Sequence, residues 1–479
     1  MSKKTVNQLT EQDWQKINEL ADVHIKQYGN ARVILVCPKT TIGPQELAMI
    51  QSLYSRDPDS ILCHLLEVAE KGAEKFMAQF YVGYGHKSIG DCGNILLAFE
   101  GVSMLAAKAI QDSQLYNGQE ASTRYMDFSE NEFLLPNIQN SNAISRAKKI
   151  QENWREFYSR NSPIVFEYLK QVYPYKNYPD EKESVWEKTI KARTFDIMRG
   201  FLPAGASTFL SWWTSISHAS DHLSWLRCHV LQEVCELAQV TENLLKEVYP
   251  SSFDRQVYPE REEYKKKWFK EQYYLENVKD SNEFLKFGTL EYTEISTDTY
   301  KDFLVNRPKG QDIPFQIGEA ISLIWTDLLD FGSFRDLQRH RAVIQRQGLL
   351  SDKFGMHQWY LDSLPTEVAE EAKKLISSQI QEINKLAALN KTEKQYLLPM
   401  GMKMLTRVSG SLSKFMYLIE LRAQSTVHPT LHANVVKLAD DLLSELSKIL
   451  PDEPPMYINR NVGELNLKRG TQDIVKKES

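Results

Sequence analysis

The chain has 479 residues, of which 42% are hydrophobic, and a formal net charge of −5 at pH 7. This length predicts at least two domains, and the apolar content is enough for ordinary hydrophobic cores. The mildly acidic balance argues against a dedicated nucleic-acid-binding protein, which usually carries a basic face.

The cysteines and the apolar segments predict a cytoplasmic protein that does not enter a membrane. The five cysteines are scattered, with no Cys-x-x-Cys spacing, which is typical of reduced thiols. The N-terminal segment has no apolar core of a signal peptide, and no stretch is apolar enough to span a bilayer.

The first third of the chain predicts helices around one strand. Residues 11–29 have the pattern of an amphipathic helix, and 31–38 form a short β-rich run that ends in a proline. Residues 44–82 look helical, with breaks at Pro58 and Gly72. The apolar residues of 95–106 also have helical spacing.

One stretch, Gln119–Tyr125, combines a carboxylate, a hydroxyl and a guanidinium. Glu120, Ser122 and Arg124 alternate, so in an extended segment their side chains point to one side. A forked cation beside a hydroxyl suits a phosphate group. Taken alone, the stretch is better explained as an exposed polar loop, because short motifs often occur by chance.

Two further arginines follow in predicted helical surroundings. Helices are predicted over 143–175 and 185–200, and Arg199 stands three positions before Leu202 in the run Arg199-Gly200-Phe201-Leu202-Pro203. Arg227 lies in a predicted helix that runs to Val248, at the border of its apolar stripe. A cation at such a border needs a polar partner or reaches out to solvent.

The order of these features recurs after a charged connector over 251–280. A β-rich run over 290–295 and an apolar segment over 317–328 precede the triplet Arg339-His340-Arg341. Leu398-Pro399 and Arg422 then follow, and Pro203 to Arg227 spans 24 positions where Pro399 to Arg422 spans 23. This ordered recurrence predicts an internal duplication.

Together these stretches resemble the signature of the flavin-dependent thymidylate synthases. In that family an Arg-His-Arg triplet, seven further residues and a Ser within a Glu-x-Ser-x-Arg-Tyr run form one motif. The upstream copy keeps the run, but Asp112-Ser113-Gln114 stands in the triplet's place. The downstream copy keeps the triplet, but Leu349 stands where Ser is expected. We therefore predict a duplicated chain whose copies have lost complementary halves of one site.

The resemblance extends to the segment before Glu100-Gly101-Val102-Ser103. The family's His-x-Ser/Thr-x-x-Glu-His element is matched by His86 and Ser88, while Asp91 replaces Glu and Cys92 replaces the second His. Taken alone, His86 would be explained better as a helix-capping or core histidine.

The resemblance implies an α/β (α+β) fold with two tandem domains, each a small antiparallel sheet flanked by long helices. The expected boundaries are 1–265 and 266–466, followed by a polar tail over 467–479. Because the family is homotetrameric, a double-length chain is expected to form a homodimer that resembles the tetramer.

The function implied is reductive methylation of dUMP to dTMP, with FAD as cofactor and NADPH and methylenetetrahydrofolate as co-substrates. The catalytic residue would be Arg227, which would stabilise negative charge on the uracil ring. The predicted substrate-binding residues are Glu120, Ser122, Arg124, Arg199 and Arg227. The predicted FAD-binding residues are His86, Ser88, Glu120, Arg339, His340 and Arg341. Arg422 is expected to be structural or accessory, because Gln395 stands where its loop partner would be.

Three alternatives stay open at this point. The family's asparagines before Leu-Arg are replaced, with His222 and Tyr417 at one such position. This leaves room for a relative that binds nucleotide or flavin without methylating, or for a flavin-dependent pyrimidine hydroxymethylase. The Arg-His-Arg triplet could also be an exposed helix end. No metal site is expected, since no glutamate of an HExxH motif accompanies the histidine pairs.

Overall fold

A computed structural model shows the fold of the chain. It describes residues 6–39, 42–55, 68, 71–83, 87–124, 126–275, 285–289, 302–448, 450 and 454–467.

The strands are β1 Ala21–Tyr28, β2 Ala31–Pro38, β3 Asn94–Ser103, β4 Ser207–Ser215, β5 Leu285–Thr289, β6 Ile321–Asp330, β7 Ile344–Gln347 and β8 Lys403–Ser411. The helices are α1 Glu11–Leu20, α2 Pro44–Tyr54, α3 Glu74–Phe76, α4 Lys87–Gly90, α5 Met104–Gln111, α6 Ser141–Val172, α7 Glu183–Met198, α8 Ile216–Leu226, α9 Gln232–Val248, α10 Pro250–Phe253, α11 Pro259–Gln272, α12 Phe315–Gly318, α13 Phe331–Leu337, α14 Gln358–Asp362, α15 Thr366–Asn384, α16 Lys391–Lys394, α17 Leu412–Arg422 and α18 Pro429–Leu446.

These elements form two compact units, each with one antiparallel sheet. The sheet-1 unit comprises residues 1–121, 207–271 and 477–479, and the sheet-2 unit comprises 122–206 and 272–476. The strand order is β1-β2-β3-β4 in the first sheet and β5-β6-β8-β7 in the second. The predicted fold class, with two small antiparallel sheets among long helices, is confirmed.

In the sheet-1 unit, the segment predicted as a helix over 95–106 is mostly a strand. β3 lies between β2 and β4, and Ile95, Leu97 and Phe99 alternate into the core. The helix begins only at Met104, where the Ser103 Oγ caps it by accepting from the Ala106 N–H. The predicted helix over 11–29 likewise ends at Leu20, and β1 follows directly.

In the sheet-2 unit, β6 and β8 form the centre of the sheet, and α17 and α18 pack against it. The segment predicted as apolar-periodic over 317–328 is mainly β6. The predicted run over 290–295 lies outside the described residues.

The two halves of the chain repeat one order of elements with nearly equal lengths. β3 and β6 have 10 residues each, β4 and β8 have 9, and α8 and α17 have 11. α9 and α18, which follow them, have 17 and 18. The order supports the predicted duplication.

A local two-fold symmetry within the sheet-2 unit supports the duplication further. Pro203 and Pro399, which precede β4 and β8, face each other in an antiparallel bridge. The Ala204 N–H donates to the Leu398 carbonyl, and the Met400 N–H donates to the Leu202 carbonyl, both at 2.8 Å. The Gly205 N–H donates to the Tyr396 carbonyl at 3.1 Å, and the Gly401 N–H donates to the Gly200 carbonyl at 2.8 Å. Each bond has a counterpart at the corresponding position of the other copy.

The predicted domain boundaries remain a prediction about the order of the copies along the chain. The compact units divide the chain elsewhere, because residues 122–206 of the upstream copy belong to the sheet-2 unit. Among the described residues, no helix is long and apolar enough to cross a membrane.

Candidate functional site

Arg124 is held in the sheet-2 unit by a buried carboxylate. Its Nε and Nη2 atoms donate to the two carboxylate oxygens of Asp196, at 2.7 and 3.2 Å, and Nη2 also donates to the Thr426 carbonyl at 3.1 Å. Thr123 and Arg124 lie in a turn rather than in an extended segment. The Ser122 Oγ accepts from the Arg124 N–H at 3.3 Å, so Ser122 lies beside Arg124.

Arg199 lies one helical turn after Asp196, at the end of α7. Its side chain is only 1% exposed, and its Nη2 donates to the Asp336 carboxylate at 3.1 Å. The carboxylates of Asp336 and Asp330 keep the pKa of Arg199 above its usual value in spite of burial. Gly332 makes room for this guanidinium, because a Cβ there would lie 3.2 Å from Arg199 Nε.

Asp336 connects the two halves of the split motif. It lies in α13, three residues before Arg339. Although burial opposes ionisation, Arg199, Arg124, Arg339 and His428 together hold the pKa of its carboxyl far below its usual value. The upstream Arg124 and the downstream Arg339 therefore both lie close enough to act on one carboxylate.

Arg422 completes this group from the last residue of α17. Its pKa is lowered by burial and by the positive charges of Arg339 and Arg124, against the effect of Asp336. Its Nε is buried and has no hydrogen-bond partner among the described residues. We call Arg124, Arg199, Arg339 and Arg422, with Asp196 and Asp336, the arginine cluster.

His340 lies beside the cluster. Burial, and then the charge of Arg422, lower the pKa of His340 to about 3, so its ring is neutral near pH 7. The Tyr417 ring lies edge-on to it at 5.9 Å, and the buried His340 Nε2 has no hydrogen-bond partner among the described residues. Arg339 is exposed and Arg341 is half-buried.

Glu120 is placed in the sheet-1 unit, where its charge is neutralised. The Lys108 Nζ lies 2.7 Å from the Glu120 Oε2, with side-chain exposures of 1% and 5%. The Gln111 Nε2 donates to the same oxygen at 3.0 Å. Glu120 is thus part of a buried ion pair.

Arg227 is also in the sheet-1 unit, and it lies between two carboxylates. Its Nε and Nη2 donate to the two Glu262 oxygens at 3.2 and 3.0 Å, and its Nη1 donates to Glu242. These carboxylates raise its pKa above the usual value against the effect of burial. Ser88 is exposed in α4, and His86 lies outside the described residues.

A shift of one residue explains why Arg227 and Arg422 differ. α8 ends at Leu226 and Arg227 caps it, whereas Arg422 is itself the last residue of α17. One residue corresponds to a rotation of about 100° around a helix. The two arginines therefore leave their helices in different directions.

Sequence reasoning missed the aspartates that organise the cluster. Asp196 precedes Arg199 by three residues, and Asp336 precedes Arg339 by three. In both cases the aspartate lies in the last turn of a helix and the arginine follows the end of that helix. The recurrence of the spacing beside both predicted arginines was the available signal.

The model of the thymidylate synthase complementing protein family matches residues 39–251. This part of the chain is similar to that family. A UPF0159 protein of Chlamydia muridarum is 26% identical over 477 residues, covering 86% of this chain and 86% of that protein. A UPF0159 protein of Thermoplasma acidophilum is 20% identical and covers 82% and 92%.

Two solved structures each resemble about half of the chain weakly. A UMP/dUMP methylase of Streptomyces cacaoi bound with 5-Br dUMP has 11% identity and a TM-score of 0.30, covering 49% of this chain and 94% of that one. Thymidylate synthase X of Helicobacter pylori, with FAD and dUMP, has 13% identity and a TM-score of 0.29, covering 49% and 100%. Scores of this size say nothing about the activity of this chain.

The described residues contain no group of three or more His, Cys, Asp or Glu that could hold a metal ion.

Proposed function

We propose that the protein methylates dUMP reductively to dTMP, with FAD as cofactor, methylenetetrahydrofolate as carbon donor and NADPH as reductant. The observation that carries this proposal is the arginine cluster, where the two motif halves meet: Arg335, next to Asp336, donates from its Nη1 to the hydroxyl of Thr123, next to Arg124, at 3.2 Å. The match of residues 39–251 to the model of that family supports a reaction of the thymidylate synthase kind.

The phosphate of dUMP is assigned to Arg124 and Ser122. Nη1 of Arg124, which takes part in none of the bonds to Asp196 and Thr426, can donate its two hydrogens to phosphate oxygens while Asp196 fixes the plane of the guanidinium. Arg199 is too deeply buried to be a good direct contact. Its role in this proposal is to position Asp336.

Charge stabilisation on the uracil ring is assigned to Arg422. A fixed cation in a closed site stabilises negative charge that develops during a reaction. Arg422 forms no ion pair within 4 Å among the described residues, whereas Arg227 is already paired with Glu242 and Glu262. The catalytic role predicted for Arg227 stays a prediction, which the same variants can test.

The residues that would hold FAD are Arg339, His340 and Arg341. The buried His340 Nε2 and Arg422 Nε, which lack partners among the described residues, fit a polar ligand here. A neutral His340 can donate from one ring nitrogen and accept at the other. Bound flavin supplies the redox chemistry, and the protein orients the reactants. The roles of His86, Ser88 and Glu120, the homodimer and the cytoplasmic location remain predictions.

The absorption spectrum of the purified protein, with and without dUMP, is the first test. Flavin bands that change when dUMP is added support the proposal, and the mass of the nucleotide product distinguishes a methyl from a hydroxymethyl group. A colourless protein that leaves dUMP unchanged contradicts it. That outcome favours a nucleotide-binding relative without activity, a reading that the ion-paired state of Arg227 also favours.

Two variants test the division of roles. Arg124→Ala should abolish dUMP binding and retain flavin, and Arg339→Ala should do the reverse, as measured by calorimetry and absorption. Arg460→Ala, which removes an exposed ion pair with Asp440, is the matched control and should change neither. Equal loss of both ligands in folded Arg124→Ala and Arg339→Ala proteins would count against separate roles.

A further inference from the structure

We infer that Asp336 determines how much negative charge the arginine cluster accepts, so that the site selects a phosphate monoester over a nucleoside triphosphate. The cluster's role as the nucleotide site rests on the proposed function. The contribution of Asp336 to charge selection does not depend on which base the ligand carries.

In the Arg199–Asp336 ion pair, the aspartate is the more exposed of the two side chains. The Arg199 side chain is 1% exposed, and the Asp336 side chain is 19% exposed. Among the described residues, Asp336 accepts one hydrogen bond, from Arg199 Nη2 at 3.1 Å. One carboxylate oxygen is thus held by a buried cation, and part of the Asp336 side chain stays exposed.

The other aspartate of the cluster has a different position. Asp196 is 0% exposed, and both of its oxygens accept from Arg124. It also lies beside His428, whose Nε2 is 3.1 Å from the Asp196 carbonyl oxygen. Asp196 orients Arg124 from within the core, and of the two aspartates only Asp336 is exposed.

The cluster as a whole carries a small net positive charge. Its four arginines and two aspartates leave a net charge of +2. Arg335 and Asp330, which are buried at either end of α13, cancel each other. A phosphate monoester carries about −1.5 to −2 at pH 7. A triphosphate carries further negative charges, which the Asp336 carboxylate repels.

The carboxylate stays charged under ordinary conditions, because the surrounding arginines depress its pKa. The selectivity therefore does not depend on pH near neutrality. A neutral side chain of the same shape should remove the repulsion and leave the arginines in place.

The test is calorimetric binding of dUMP and dUTP to the wild-type protein and to Asp336→Asn. Wild type should prefer dUMP, and Asp336→Asn should shift the dUMP:dUTP affinity ratio by about tenfold toward dUTP, as expected for one partly screened unit charge at close range. Asp336→Glu should restore the preference. Asp440→Asn, which removes an exposed carboxylate of the same unit, is the control and should leave the ratio unchanged.

Orthophosphate and tripolyphosphate, used as probes without a base, separate this inference from the proposed function. Charge selection among the inorganic probes without dUMP binding would overturn the function and leave the role of Asp336 standing. An unchanged ratio in folded Asp336→Asn would overturn the role of Asp336. If that variant does not fold, equal affinity of the wild type for dUMP and dUTP, or no anion binding at all, overturns it as well.

Discussion

Arg227 and Arg422 end corresponding helices of the two copies, but their surroundings are opposite. Arg227 in the sheet-1 unit is neutralised by Glu242 and Glu262. Arg422 in the sheet-2 unit has the arginines Arg124 and Arg339 as neighbours, with Asp336 as its nearby anion. In the upstream copy this cation forms ion pairs with two carboxylates. In the downstream copy it lies where positive charges outnumber negative ones.

The corresponding helices α5 and α13 also differ in the partner of the cation at their fifth residue. Lys108 is the fifth residue of α5, and Glu120 neutralises it in the core. Arg335 is the fifth residue of α13, and its Nη1 contacts the neutral Thr123 hydroxyl at 3.2 Å. The buried cation of α5 thus pairs with a carboxylate, and the buried cation of α13 donates to a hydroxyl of the segment that carries Arg124.

The largest expected effect concerns the buried ion pair of the sheet-1 unit. Lys108→Met leaves the Glu120 carboxylate buried without its cation, which should lower the free energy of unfolding by about 3–5 kcal/mol. Urea unfolding measures it. Lys149→Met, which removes a lysine from an exposed pair with Glu156, should change stability little. A loss below 1 kcal/mol for Lys108→Met would show that Glu120 finds another partner.

The next effect concerns activity on the side with the excess charge. Arg422→Ala should lower kcat/KM for dUMP methylation by about 10²- to 10³-fold, the usual loss when one charge-stabilising group is removed. Arg227→Ala should act mainly on the free energy of unfolding, because it leaves Glu242 and Glu262 facing each other. Steady-state kinetics with both folded variants show which of the two arginines is needed for activity. The reverse result, with activity lost only in Arg227→Ala, would restore the role that the sequence predicts for Arg227.

Acid stability sharpens the comparison, because each unit holds buried neutral histidines. The pKa is lowered to about 3 for His340 and to about 4 for His222, mainly by burial. As pH falls below about 6.5, the unfolded state takes up protons that the folded state does not, so stability is lost from there downward. His340→Gln should flatten the decline by about 1.4 kcal/mol per pH unit between pH 6 and 4.5. His222→Gln should do the same, as measured by urea unfolding at several pH values, and an unchanged slope would mean that the ring is protonated in the fold.

The smallest effect compares the caps of α5 and α13. Asp330 caps α13 and also accepts from the Tyr360 hydroxyl at 2.8 Å, whereas Ser103 caps α5 and donates to Glu233 at 2.6 Å. Tyr360→Phe should cost about 1 kcal/mol, since Asp330 keeps its bond from the Ser333 N–H. Thermal unfolding measures this loss. A loss of several kcal/mol would mean that Tyr360 also holds Arg199 in place.

The family resemblance predicted the two antiparallel sheets, whereas the spacing of apolar residues gave the wrong element for part of the first sheet. The helical spacing in 95–106 was misleading because β3 is apolar on both faces: Leu96 and Ala98 are half-buried on the side away from the core. The alternation of apolar and polar residues that marks a half-buried strand is then absent. The spacing of apolar residues alone does not distinguish such a strand from a helix.

The difference between Arg227 and Arg422 was present in the sequence as a spacing of 24 against 23 positions. A change of one position looks minor in a motif, but it turns a side chain to another face of its helix. The partners of the arginines could not be predicted, because Glu242, Glu262, Asp196 and Asp336 are distant in sequence from at least one residue that they neutralise or hold.

The reciprocal backbone bonds around Pro203 and Pro399 have a consequence for how this chain assembles. Contacts of this symmetrical kind usually join two molecules, and their population then falls on dilution. Here a covalent tether supplies the second partner at a fixed effective concentration. The arginines of the two copies are thus assembled at any protein concentration, without waiting for an encounter.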